Sequence, residues 1–201
     1  DVITVDLADI ANRGESDLYT KDFLEVCNKR LNSGGLNVVW LSVKSLSPPT
    51  LKTLLKTVLS VYPQENVTIW HLTNYPNHDL LIVARKDIPL EIDVENLIQR
   101  MARPSVAKDL AEINLDNPYK LLSCYYVPAS ALNDYFGEVP IHTVDKPVLE
   151  FEAPKDRFKT ISMWQNLLEL FWQIRDPYPP IKTIHPEEFS RQMNHELEVR
   201  N

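Results

Sequence analysis

Glycine constrains this chain more than any other residue. Only four occur in 201 residues, Gly14, Gly34, Gly35 and Gly137, against fifteen prolines. Neither GxGxxG nor a Walker-type GxxxxGK can be written with them, so the usual glycine-rich phosphate loops are absent from this chain. The composition is otherwise that of an ordinary globular protein, 44% hydrophobic and 24% charged. Apolar residues recur along the whole length, which excludes long-range disorder. No apolar run approaches the roughly 20 residues that span a bilayer. The opening Asp1-Val2-Ile3-Thr4-Val5-Asp6 carries no basic start of a signal peptide.

The formal net charge is −7, from 21 basic and 28 acidic residues. No basic cluster offers a nucleic-acid surface, so no nucleic-acid partner is expected. Cys27 and Cys124 lie far apart and lack CxxC spacing, which reads as buried reduced thiols and argues against a zinc site. A single disulfide stays open on sequence alone.

The pattern of elements is α/β. Asp1 to Asp6 reads as a buried strand that begins at the first residue, as if cut from something longer. A polar loop follows to about Asp17, then a helix from Leu18 to Leu31 with Tyr19, Phe23, Val26, Cys27 and Leu31 at helical spacing. Asn32-Ser33-Gly34-Gly35 stops it. Leu36 to Val43 reads as a strand covered on both faces, as in a parallel sheet. Ser47-Pro48-Pro49 starts a second helix, with Leu51, Leu54, Leu55, Val58 and Leu59 on its apolar face. Val67–Leu72 and Leu80–Ala84 read as an antiparallel pair joined through Asn74-Tyr75-Pro76-Asn77. Short helices broken by Pro104, Pro118 and Pro128 are expected over residues 93–136. Pro147 to Phe151 reads as extended, Phe158 to Arg175 as an amphipathic helix, and a polar helix of about a dozen residues starts near Pro186.

Chemistry concentrates just past the first strand. Asp6 and Asp9 stand where open α/β sheets bind ligands, beyond the carboxyl end of a strand. Two carboxylates three residues apart can share one small cationic ligand. One takes a proton from an attacking amine while the other holds a second ammonium. Spacing alone favours a plainer reading, in which Asp9 caps a turn and Asp6 merely ends the strand.

Asp1-Val-Ile-Thr-Val-Asp6-Leu-Ala-Asp9, Leu18-Tyr19-Thr20-Lys21-Asp22-Phe23 and Leu31-Asn32-Ser33-Gly34-Gly35 follow one another as in the second half of a spermidine synthase. The chain resembles that family over about residues 1–154. The interval from Asp6 to Tyr19 is more similar to the membrane-attached branch. So are Val39-Trp40-Leu41, Asp79 to Val83, and His142 to Phe151, which resembles that branch's NTDDRPVLEF.

The resemblance implies the second half of a class I methyltransferase-like Rossmann fold over residues 1–154, with a helical extension or arm over 155–201. It implies aminopropyl transfer from decarboxylated S-adenosylmethionine to a diamine such as putrescine. Asp6 is then the candidate general base, with Asp9 and Tyr19 on the substrate and no metal. Decarboxylated S-adenosylmethionine is a co-substrate that this chain alone does not hold, because the family's nucleoside-binding half lies upstream of Asp1. A companion polypeptide or precursor segment carrying those upstream strands is therefore expected, in an oligomer. The expected location is cytoplasmic, either free or as the soluble domain of a membrane-attached protein. Two other readings stay open: a catalytically silent subunit of a larger assembly, and a methyltransferase using intact S-adenosylmethionine. The family's proline after the second aspartate is Ile10 here, and Arg13 adds a positive charge to the loop.

Among other candidates, His71, His78, His142, His185 and His195 show no ligand spacing and read as surface or supporting histidines. Asn66-Val67-Thr68 reads as a chance glycosylation match. Ser33-Gly34-Gly35 reads as a helix stop and not a nucleophile elbow.

Overall fold

The computed structural model describes residues 1–6, 9–42, 46–71, 79–157 and 176–200. The chain divides into two compact units, Asp1–Leu90 with Val127–Arg175, and Glu91–Tyr126 with Asp176–Asn201.

The first unit is built on a mixed sheet. Strand β1 (Val2–Val5) runs parallel to β2 (Leu36–Ser42), in register from Val2 opposite Leu36 to Val5 opposite Val39. Helix α1 (Lys21–Arg30) lies between them in sequence, as a parallel crossover requires. Strands β3 (Val67–His71) and β4 (Asp79–Arg85) form the expected antiparallel pair, with Ile69 opposite Ile82. Strand β4 also pairs antiparallel with β2, Val39 opposite Ile82, so it runs opposite to both of its neighbours, β2 and β3. The order is β1-β2-β4-β3, extended beyond β3 by β6 (Tyr125–Pro128).

Two strands differ from expectation. Among the described strands β1 lies at the end of the sheet beside β2, and in it just Val5 is buried while Val2 and Thr4 are exposed. Strand β2 alternates instead of burying both faces: Asn37, Val39 and Leu41 are buried, and Leu36, Val38, Trp40 and Ser42 are half-covered. Strand β3, flanked on both sides, is the one covered almost throughout.

Helix α2 (Pro48–Leu59) buries Leu51, Leu54, Leu55 and Val58 as its spacing predicts. Ser47 stands at the N-cap position, but its own hydroxyl pairs with that of Thr50 at 3.0 Å. The helix start is satisfied from a distance by Asp156, whose Oδ2 accepts the Ser47 N–H at 2.8 Å and the Thr50 hydroxyl at 2.6 Å. A carboxylate there also meets the positive end of the helix dipole.

Helix α1 starts three residues later than expected. Glu15–Tyr19 forms a 3-10 turn, and the Thr20 hydroxyl caps α1 by accepting the Phe23 N–H at 3.2 Å. Leu24 and Cys27 face the core, whereas Val26, assigned to the apolar face, is 53% exposed. Gly34 follows with φ of 80°, a left-handed turn that suits glycine.

The larger correction concerns Pro147 to Phe151. These residues open a helix, Val148–Asp156, and do not form an extended segment. Leu149, Ala153 and Asp156 recur at helical spacing and are buried, and that face decides the conformation. Short α6 (Asn133–Phe136) precedes this helix, which is called α7.

The second unit holds α3 (Val94–Met101), α4 (Pro104–Glu112), α5 (Pro118–Leu122) and α8 (Pro186–Arg200). Strands β5 (Ile92–Asp93) and β7 (Ile181–Lys182) pair in parallel. Pro104 and Pro118 open α4 and α5 at their first turns, where the missing N–H costs nothing. Val94, Met101, Leu122, Phe189 and Met193 form its core.

Both cysteines are buried free thiols. No helix among the described residues is long and apolar enough to cross a membrane. The expected turn at 74–77 and the amphipathic helix at 158–175 lie outside the described residues.

Candidate functional site

The candidate loop begins at the carboxyl end of β1. Asp6 is exposed there and, among the described residues, accepts no hydrogen bond. Asp9 is engaged on every side. Its Oδ1 accepts the Ala11 N–H at 2.9 Å, and its backbone N–H donates to Glu15 Oε2 at 3.0 Å. Its Oδ2 receives Arg157 Nη2 in an ion pair. Arg157 also donates to Asn12 Oδ1 at 2.8 Å, and the Asn12 amide donates to Glu15 Oε1 at 2.9 Å. The turn-capping reading of Asp9 therefore holds: the side chain folds back on the backbone two residues ahead. Ile10, the residue after Asp9, is buried.

Tyr19 is buried, and its hydroxyl donates to the Trp40 carbonyl at 3.2 Å, tying the 3-10 turn to β2. Burial is the main reason its phenol is pushed well above the ordinary tyrosine range. The charges of Glu15, Asp6 and Asp9 add in that order. All three carboxylates thus act on one hydroxyl. The structure brings Asp6, Asp9 and Tyr19 into a single acidic neighbourhood, but Tyr19 serves there as a buried tether.

Three residues that organise this loop were not singled out as site residues in the sequence. Glu150 reaches across from α7 and accepts the Ser16 hydroxyl at 2.7 Å and the Gly14 N–H at 3.2 Å. The Ser16 hydrogen bond is the main reason its carboxyl is held below the ordinary glutamate range. Arg157 grips the other end of the loop. His142, read from the sequence as a surface or supporting histidine, is completely buried. Its Nε2 lies 2.9 Å from the Ser16 carbonyl, and its Nδ1 accepts the Leu149 N–H at 3.3 Å. A carbonyl only accepts and an amide N–H only donates, so the ring is neutral with its proton on Nε2. Burial accordingly pushes the His142 pKa down. His142 also bonds through its backbone, donating to Thr57 Oγ1 at 3.0 Å and accepting the Lys21 N–H at 2.9 Å. His142 and Glu150 both lie in the segment resembling NTDDRPVLEF, which was the available signal.

Among the described residues, no group of three or more His, Cys, Asp or Glu side chains is placed to hold a metal ion. A groove of about 380 Å³ lined by Lys56, Gln64 and Phe136 involves none of the candidate loop residues. Asn66 of the glycosylation match is buried. Compared with family models, curated proteins and solved structures, the chain matches none.

Proposed function

We propose that the chain is the second half of a spermidine synthase-like aminopropyltransferase, of the methyltransferase-like Rossmann type. It acts with an N-terminal half that supplies the nucleoside site. The observation that carries this reading is the placement of Asp6 and Asp9 just past the carboxyl end of the parallel strand β1, with Asp6 exposed and the Asp9 N–H held by Glu15. Asp6 is the exposed member and acts as general base. An ammonium cannot attack a sulfonium carbon until it loses a proton, and a carboxylate past the strand end can accept it. The amine nitrogen then forms a bond to the aminopropyl carbon, and methylthioadenosine leaves with the electron pair of the broken carbon–sulfur bond.

Two features of the fold support the reading. One reversed strand, β4, sits between β2 and β3, which point the same way, in a mixed sheet compatible with the α/β fold this reading implies. The outer edge of β1 pairs with no described strand, which suits a companion segment bringing further strands to it.

A second reading has its own observation. Both Asp9 carboxylate oxygens are already occupied by partners within the chain, which favours a catalytically silent subunit that keeps the fold. Turnover decides between them. The protein is isolated with its companion chains and supplied with decarboxylated S-adenosylmethionine and putrescine, and methylthioadenosine is measured. Loss of a general base lowers turnover roughly 100-fold or more in Asp6→Asn. Unchanged turnover in that variant removes Asp6 from the chemistry, and no turnover in either protein leaves the silent-subunit reading.

A further inference from the structure

We propose that Arg157 is a displaceable counter-ion for Asp9, a latch within the chain that a cationic ligand must replace to occupy the loop. The inference rests on the reading of Asp9 as the carboxylate that holds a diamine.

The loop is held by one helix at two points. Glu150 lies in the first turn of α7, and Arg157 follows its last residue with helical backbone angles, φ −56° and ψ −28°. Seven residues apart, they lie on nearly the same side of the helix, about two turns or roughly 10.5 Å along its axis. One grips Gly14 and Ser16; the other grips Asp9 and Asn12.

The two grips are unequal. At the Ser16 end the residue is fully buried, its hydroxyl is held by Glu150 and its carbonyl by His142. That end is a hinge. At the Asp9 end the partners are open to water, with the Arg157 and Asp9 side chains 41% and 33% exposed. An ion pair this exposed changes an equilibrium constant by about fivefold at most, so it can be exchanged.

The chemistry of the exchange is matched. The guanidinium offers a positive charge and N–H donors to Asp9 Oδ2 and Asn12 Oδ1. A protonated amine offers a positive charge and three N–H donors, enough for both acceptors. With Arg157 withdrawn, Asp6, Asp9 and Glu15 are left without that compensating charge beside Tyr19, which favours a dication over water.

Calorimetric titration of the full chain with putrescine tests the latch. Arg157→Ala is expected to bind about fivefold more tightly than the unaltered protein. Arg157→Gln, which keeps hydrogen-bonding capacity without charge, is expected to gain similarly and guards against a local folding defect in the first variant. Asp9→Asn is expected to lose binding. Equal or weaker binding in both Arg157 variants, with Asp9→Asn still defective, overturns the latch and leaves the role of Asp9 standing. No binding to the unaltered protein or to either Arg157 variant at millimolar putrescine overturns both.

Discussion

Replacing His142 with alanine tests the packing argument around the candidate loop most directly. The imidazole is fully buried and bridges the Ser16 carbonyl and the Leu149 N–H. Its removal orphans both groups, at about 1–3 kcal/mol each when buried. It also leaves a void, so the expected total is about 3–5 kcal/mol. For a chain of this size that lowers Tm by roughly 6–20 °C. The pH dependence carries a sign. The folded pKa lies below the ordinary value of 6.5, so the unfolded chain takes up the proton first. The contribution of His142 is complete above pH 6.5 and declines as the pH falls below it, by at most about 1.4 kcal/mol per unit. Urea unfolding is followed by tryptophan fluorescence at pH 7.5 and 5.5. His142→Gln keeps one donor and one acceptor without titrating, so it is expected to retain most of the midpoint and show a shallower pH dependence. Loss of less than about 1 kcal/mol in His142→Ala, or an unchanged difference between the two pH values in both variants, refutes the buried neutral bridge.

Glu150→Gln weakens the bonds to Ser16 and Gly14; with Glu150 partly open to solvent, about 0.5–1 kcal/mol is expected at pH 7 from urea midpoints. The folded Glu150 pKa is lowered, so its contribution is present above the unfolded value of 4.5 and fades as pH falls through the folded one. The variant is expected to lose that component of acid sensitivity. Asp156→Ala removes the acceptor for Ser47 N–H and the Thr50 hydroxyl at the start of α2, and about 2–4 kcal/mol is expected in the same assay. A loss below about 1 kcal/mol would show that water satisfies the helix end instead.

Local signals were legible where one residue type settles the backbone. The proline opening of α2 and the glycine stop at Gly34 were readable from the residues, whereas Pro104 and Pro118, read only as breaks between helices, open α4 and α5. The pairing of β3 with β4 followed from the short interval between two apolar runs. Asp6 and Asp9 could be picked out because they follow an apolar strand directly. The roles of Glu150 and Arg157 could not be read from spacing, because their partners lie more than 130 residues away; for Glu150 the one signal was the resemblance of its segment, and for Arg157 there was none. Pro147 to Phe151 misled because an apolar run of that length suits a strand or a buried helix equally.

Sequence by itself determined the α/β alternation, the start of α2 at Ser47-Pro48 and the acidic pair at the end of β1, since these follow from periodicity, backbone restriction and charge. Tertiary structure alone decided that β1 lies at the end of the sheet with one face open. It also decided that His142 is neutral and buried, and that Asp9 is already paired. Burial and pairing depend on what the rest of the chain brings alongside. A carboxylate has the same composition whether it faces water or Arg157, and only the fold distinguishes the two.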